Sequence, residues 1–294
     1  MSASTDSVDL NDLVAGWHPG QVEQTEQLTT EPFSDMADLL SQPAGPFQIH
    51  EPIPPLWHWL YFDSWVPTQR LGEDGHPIDG HFLPPIPSRR RMIAGGRLTF
   101  LNPLVEGELT HKVSGLTGVK ARTGQSGPML FVTVRSEISQ AGKVCVTEER
   151  DVVYRSGDMQ TVSARTVIDT VGVPQTHGTW QVDHLTNPVM LFRFSVLTRN
   201  SHRIHYDQAY CRDVEQYPDL VVHGPLLILM IADLIRRSTD RPVASLNYRL
   251  RAPVFVGEKI RIVGAPLSGD PDTAALNVTT ARSGSSVTAE VTFS

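Results

Sequence analysis

The chain has 294 residues, 40% hydrophobic and 19% charged, and its 25 Lys and Arg against 32 Asp and Glu leave a formal charge of −7. This is the composition of a globular protein with room for two domains, and mild acidity without a long basic run argues against non-specific nucleic-acid binding. The two cysteines, Cys145 and Cys211, belong to no paired spacing, so neither a disulfide framework nor a Cys-based zinc site is expected.

In chain order, the first ten residues are acidic and free of Arg, which predicts no signal peptide or mitochondrial presequence and a cytoplasmic location. No apolar run approaches the length of a membrane span. The stretches Phe33–Leu40 and Ile53–Leu60 are helix candidates, the second containing Trp57-His58-Trp59, read as packing residues. A cationic run, Arg89-Arg90-Arg91, follows Phe82-Leu-Pro-Pro-Ile-Pro. Strand-like segments then come at Arg97–Leu101, Leu109–Val113, Met129–Ile138 and Glu149–Arg155, separated by turns containing Gly and Ser.

Residues 156 to 185 are polar and mixed, and read as a crossover linker between an N-terminal half, 1–155, and a C-terminal half, 186–294. Within the second half, Pro225 to Arg237 is apolar almost all round, opening with Pro and closing on Arg236-Arg237. Pro suits a first helical turn and the arginines suit the negative end of the helix dipole, so this is a buried helix. Strand-like segments follow at Asn247–Arg251, Lys259–Val263, Ala275–Ala281 and Val287–Phe293.

The two halves share a motif. Pro103-Leu-Val-Glu-Gly-Glu recurs as Pro253-Val-Phe-Val-Gly-Glu at an offset of 253 − 103 = 150, each copy between strand-like segments. Matching Pro and Gly imply the same turn, and matching flanks imply a duplicated unit. A long antiparallel sheet around one buried helix is the hotdog arrangement. The expected fold is therefore α+β, a double hotdog of two antiparallel sheets, each wrapped around a long central helix.

Polar groups crowd Leu191–Asp207, where Asn200, His202, Arg203, His205 and Asp207 fall within eight positions. His223-Gly224 stands at the mouth of the buried helix, where free backbone N–H groups and the positive dipole end face outward. His205 as base and the Gly224 N–H as oxyanion donor are the two functions that chemistry beside a thioester carbonyl needs. The His202-x-x-His205 spacing lacks an evident third ligand, so no metal is expected.

These segments resemble the MaoC-like, (R)-specific enoyl-CoA hydratase family, whose motif is Asp-x-Asn-Pro-x-His. His205 falls on the motif His, Asn200 on its Asp, and His223-Gly224 on the family's His-Gly pair. The blocks Phe82–Pro87, Arg90–Gly96, Leu191–Ser195, Asn200–Asp207 and Leu220–Leu226 are similar to a two-half subfamily that includes 3-methylfumaryl-CoA hydratase and the type 2 hydroxyacyl-thioester dehydratases. Arg199 stands where that subfamily usually has Phe.

The resemblance implies a hydro-lyase that hydrates a short branched or dicarboxylic enoyl-CoA in its C-terminal half, with the N-terminal half shaping the substrate site. Asn cannot take a proton, so His205 is the sole base and Asn200 holds the water. Arg199, Arg203, His223, Arg90 and Arg91 are the candidate substrate-binding residues, the last two toward coenzyme A phosphate or a substrate carboxylate. No organic cofactor, nucleic acid or membrane partner is implied, and a homodimer of two-half chains is allowed. Dehydration of 3-hydroxyacyl-CoA or acyl carrier protein substrates is the alternative within the enzymes. A hotdog binding module or thioesterase is the alternative outside them.

Overall fold

The structure is a computed structural model that describes residues 9–41, 50–87, 89–124, 127–155 and 167–294. Ten strands form the frame: β1 (Val22–Gln27), β2 (Arg90–Phe100), β3 (Leu109–Gly124), β4 (Gly127–Gln140), β5 (Lys143–Arg155), β6 (Trp180–Leu185), β7 (Val243–Leu250), β8 (Lys259–Leu267), β9 (Asp270–Thr279) and β10 (Val287–Phe293). Among the described residues five α-helices accompany them: α1 (Leu10–Val14), α2 (Glu31–Leu39), α3 (Pro188–Leu197), α4 (Gln208–Asp213) and α5 (Gly224–Ser238).

All ten strands belong to one sheet, ordered β1-β3-β4-β5-β2-β7-β10-β9-β8-β6. Read from each outer edge inward, both halves run first, third, fourth, fifth, second strand, which is the signature of a duplication. The halves meet along antiparallel β2 and β7, from Gly95 opposite Arg249 to Thr99 opposite Ser245. The repeated turn is the same in both copies: Gly107 and Gly257 have φ of 82° and 84°, a left-handed conformation that side chains with a Cβ resist.

Two expectations are corrected here. The strands do not form two separate sheets, because β2 and β7 complete each other's hydrogen bonding at the centre. Nor, among the described residues, does each half own a long helix. The second half has the 15-residue α5, whereas the longest described helix of the first is α2, of 9 residues. In addition, the last six residues of the stretch read as linker form β6, which pairs with β8; its alternating exposed and half-buried residues are those of a sheet edge.

Leu226 to Ile235 are all buried in α5, which packs against β6, β8, β9 and β10. Its closing arginines both bridge Asp233, at 2.9 Å each. α2 lies against α3 of the other half and against the tight turn Trp57–Leu60. One core therefore runs through both halves, with Phe33, Met36 and Leu98 of the first in the same cluster as Leu229, Leu246 and Val291 of the second. The cysteines are buried within it, and burial pushes the Cys211 thiol up to about 12.

Candidate active site

The segment after α3 is built by local hydrogen bonds. Asn187 caps α3, its Oδ1 accepting from Met190 N at 2.9 Å. The chain then reverses at Arg199, which has φ of 50°, and Asn200 N donates to Ser195 O at 2.8 Å. The Asn200 side chain closes a small turn, its Oδ1 accepting from His202 N at 3.0 Å. A single tight turn, Arg203–His205, leads to Asp207, which caps α4 by accepting from Tyr210 N at 3.0 Å. Val221 N donates to Ile204 O at 2.9 Å, and Val222 N to Val254 O at 2.8 Å. The second copy of the repeated turn thus backs the extended segment, bridged at Val221 and Phe255, that carries the chain into His223 and α5.

His205 is buried and its Nδ1 lies 2.7 Å from Val221 O. A carbonyl only accepts, so Nδ1 carries the proton and Nε2 keeps its lone pair. Burial holds the His205 pKa down to about 4, the Val221 bond opposing this and the nearby His76 adding to it. The ring is neutral at physiological pH and presents a base.

Three more imidazoles stack around it. His223 lies 3.6 Å from His205 between centroids, nearly parallel at 18°. His202 is edge-on to His205 at 5.5 Å, and the His76 ring lies 3.9 Å from that of His202. His223 is fully buried, with Nε2 2.9 Å from Ser195 Oγ. Burial, and then neighbouring rings, lower His202 and His223 well below the ordinary imidazole value. His76 is also lowered, by burial first, against the pull of Asp74.

His76 arrives from the first half on a loop that the sequence reading passed over. Asp74 accepts from His76 N at 2.9 Å and holds His76 Nδ1 at 3.0 Å. Gly75, at φ 83°, lies flush on the other half, where a Cβ would sit 1.9 Å from Ser201 O. Ser201 Oγ donates to Gly75 O at 2.6 Å and Arg203 N to Asp74 O at 2.9 Å. Asp74, His76 and His202 bring ligand atoms within 4.8 Å of one another, a set capable of holding a metal ion. The Asp-Gly-His-Pro run at 74–77 was the available signal, a tight turn carrying two titratable groups.

A cavity of about 320 Å3 opens beside this array, lined by Asn200, Ser201 and Pro225 from the second half and by His58, His76 and Trp59 from the first. Asn200, Arg199 and Arg91 are in its wall, and the Arg199 guanidinium donates to Asp63 O at 2.7 Å. His205 and Gly224 are not themselves among the lining residues: Gly224 immediately precedes the lining Pro225, and His205 follows the lining Ser201 by four positions. His223 is fully buried, stacked on the His205 ring and edge-on at 4.9 Å to Phe194 of the cavity wall. Arg203 is turned outward, with its guanidinium on Asp207 at 2.8 Å and over the Tyr210 ring at 4.2 Å.

Arg90 reaches Glu215 at 3.4 Å and, with Arg89 and Arg91, lines a neighbouring cavity of about 410 Å3. Arg91, His76 and Pro77 form the partition between the two cavities. Behind the first cavity lies a buried carboxylate, Glu148, held by Arg150 at 2.8 Å, Trp59 Nε1 at 3.0 Å and His58 Nε2 at 3.3 Å. Burial alone would raise the Glu148 pKa, yet the Arg150 charge and the His58 bond keep it well below the usual carboxylate range.

Residues 56–256 match the hydroxyacyl-thioester dehydratase type 2 family. The chain is 41% identical over 234 residues to mesaconyl-C4-CoA hydratase of Chloroflexus aurantiacus, covering 80% of this chain and 82% of that one. It is 26% identical to the mitochondrial hydroxyacyl-thioester dehydratase type 2 of Schizosaccharomyces pombe, over 71% of this chain and 76% of the other. A MaoC-like dehydratase from Phytophthora capsici superimposes with a TM-score of 0.66 at 13% identity, over 96% and 98% of the two chains. HtdX of Mycobacterium tuberculosis does so at 0.63 and 13%, over 92% and 99%.

Proposed function

Since this chain belongs to the hydroxyacyl-thioester dehydratase type 2 family, with a MaoC-like fold and hydro-lyase activity on acyl thioesters, we propose that it hydrates a short dicarboxylic or branched enoyl-CoA such as mesaconyl-C4-CoA. His205 Nε2 removes a proton from water as the water oxygen bonds the β-carbon. The double-bond electron pair moves through the α-carbon onto the thioester oxygen, and the Gly224 N–H at the start of α5 stabilises the enolate that forms. As the enolate collapses, the α-carbon takes a proton from the His205 imidazolium and the base is restored. Asn200 orients the water through its amide N–H, since its Oδ1 already accepts from His202 N.

The observation that carries this reading is the bond from His205 Nδ1 to Val221 O at 2.7 Å, which leaves a neutral ring with its basic nitrogen free beside the α5 N-terminus. The decisive measurement is loss of the enoyl-thioester absorbance with mesaconyl-C4-CoA and with crotonyl-CoA. Wild type bleaches at least one of them, and His205→Ala slows it by roughly 10²–10⁴-fold. Bleaching by neither, or an undiminished mutant, ends the reading.

Dehydration of 3-hydroxyacyl thioesters uses the same groups in reverse. The cavity, near the lower end of ligand-site volumes, favours a short acyl group over a long chain. Hydrolysis is disfavoured: the first turn of α5 has no acidic residue, and Asp219 is engaged by Gln208 and Arg212.

Within the same reading the chain is a pair of fused hotdog-like halves that share one sheet. Residues 1–155 shape the substrate site, 186–294 carry the base, and the connection 156–185 gives up β6 to the second sheet half. Arg90 and Arg91 face the coenzyme A phosphates from the neighbouring cavity, and Arg199 faces the acyl group. The protein works in the cytoplasm, as a monomer or a homodimer to be told apart by light scattering, and requires no metal.

A further inference from the structure

The cavity beside Asn200 is more cationic than addition of water to an enoyl thioester requires. Lys112, Arg150, Arg91 and Arg199 line it, against one lining carboxylate, Asp63. Counting Glu148 behind the wall and Glu26, which accepts from Phe62 N, the local balance is still positive, 4 − 1 − 1 − 1 = +1, in a protein whose overall charge is −7.

These cations are not equivalent. Arg150 is matched to Glu148, and its guanidinium sits 5.5 Å over the Trp59 ring. Lys112 is different. It projects from β3 between the buried Thr110 and Ser114, on the strand face turned inward. Its ammonium lies 5.2 Å over the Phe62 ring, and among the described residues no carboxylate reaches ion-pair distance. Its pKa is lowered by burial and then by the Arg150 charge. Glu148, Asp63 and Glu26 act on it only from beyond ion-pair distance, and a desolvated cation without a paired carboxylate is costly to keep unless something anionic arrives to meet it.

Resting on the hydratase reading, we propose that Lys112, supported by Arg150 and Arg199, is the subsite for a carboxylate on the acyl group of the substrate. The thioester end would lie toward Asn200 and Pro225 of the second half. The acyl carboxylate would then lie against β3 and β5 of the first half, so each half reads one end of a short dicarboxylic acyl chain. Coenzyme A phosphate is the other anion at hand, and the Arg89–Arg91 run in the neighbouring cavity is placed for it.

The test is equilibrium binding of two unreactive saturated thioesters, succinyl-CoA and butyryl-CoA, which share the coenzyme and differ in the terminal carboxylate. Wild type should prefer succinyl-CoA by roughly ten- to hundredfold, the range of one charge-assisted pair. Lys112→Met should bring that ratio close to one, and Lys112→Arg should restore most of it. A wild-type ratio near one overturns the proposal without needing any variant, as does a Lys112→Met protein that keeps the wild-type ratio. Because no turnover is involved, a failure of the hydration assay strikes the hydratase reading alone and leaves this subsite to be judged by the binding ratio.

Discussion

At the scale of single residues, the site depends on one imidazole staying neutral among three others. The His205 base works unprotonated, so kcat/KM should stay level as pH falls from 7 to about 5 and drop tenfold per pH unit below its pKa of about 4. A midpoint near the unperturbed imidazole value of about 6.5 would mean that water reaches the ring freely. The same depression links to stability. The unfolded chain protonates its histidines first, so stability falls as pH drops from about 6.5 toward 4 and is regained as pH rises; a melting series over that window checks the sign. Gly75 is the other critical residue. Ala there has neither the left-handed backbone freedom nor space before Ser201 O at 1.9 Å, so Gly75→Ala should cost about 1–3 kcal/mol and weaken activity by lifting Asp74 and His76 from the cavity. Equal activity in the mutant would make that loop a bystander. Asp74 is already engaged by the His76 Nδ1, so dialysis against a chelator should leave turnover intact; loss restored by a divalent metal would make the cluster with His202 a working metal site.

At the scale of elements, α5 was the most legible part of the sequence. An apolar run bounded by Pro225 and Arg236-Arg237 permits little except a buried helix, and Leu229 on it is fully buried. Leu229→Ala should therefore cost about 2–5 kcal/mol in urea unfolding, and a cost under 1 kcal/mol would mean that the helix is not sheathed. The repeated turn was legible for a similar reason, because Gly107 and Gly257 occupy a conformation few other residues accept. The run from Asn200 to His205 and the entry to α5 were singled out in the sequence, and Asn200 and Pro225 line one cavity. The Asp74–His76 loop and Lys112 were not. The loop acts through a docking contact 126 residues away in sequence, about which its own residues say nothing. Lys112 and Arg150 did leave a trace: Lys112 alternates with the buried Thr110 and Ser114, and Arg150 with the buried Glu148 and half-buried Val152, positions where a charge is unusual unless paired or functional.

At the scale of the whole molecule, two separate sheets were the natural expectation from a duplicated sequence, since alternation fixes which face of a strand is buried but not which strand lies beside it. The union of β2 with β7 has a functional consequence. The cavity is lined from both halves, and the core that holds α5 includes Phe33, Met36 and Leu98 of the first half. The C-terminal half contains every residue of the His205, Asn200 and Gly224 set, yet β7 would keep only β10 and lose β2 from its other edge, and α3 would lose its cover α2. Expressed alone from residue 179 onward, it should bury too little of its apolar surface to hold a native state, exposing the β7 edge to aggregation. Circular dichroism should show no cooperative melt for that fragment, whereas co-expression with residues 1–178 should restore both the melt and turnover. A fragment that folds and hydrates enoyl-CoA unaided would show that the first half is dispensable, and would remove the reason for Lys112, Arg150 and His76 to face the same cavity as Asn200.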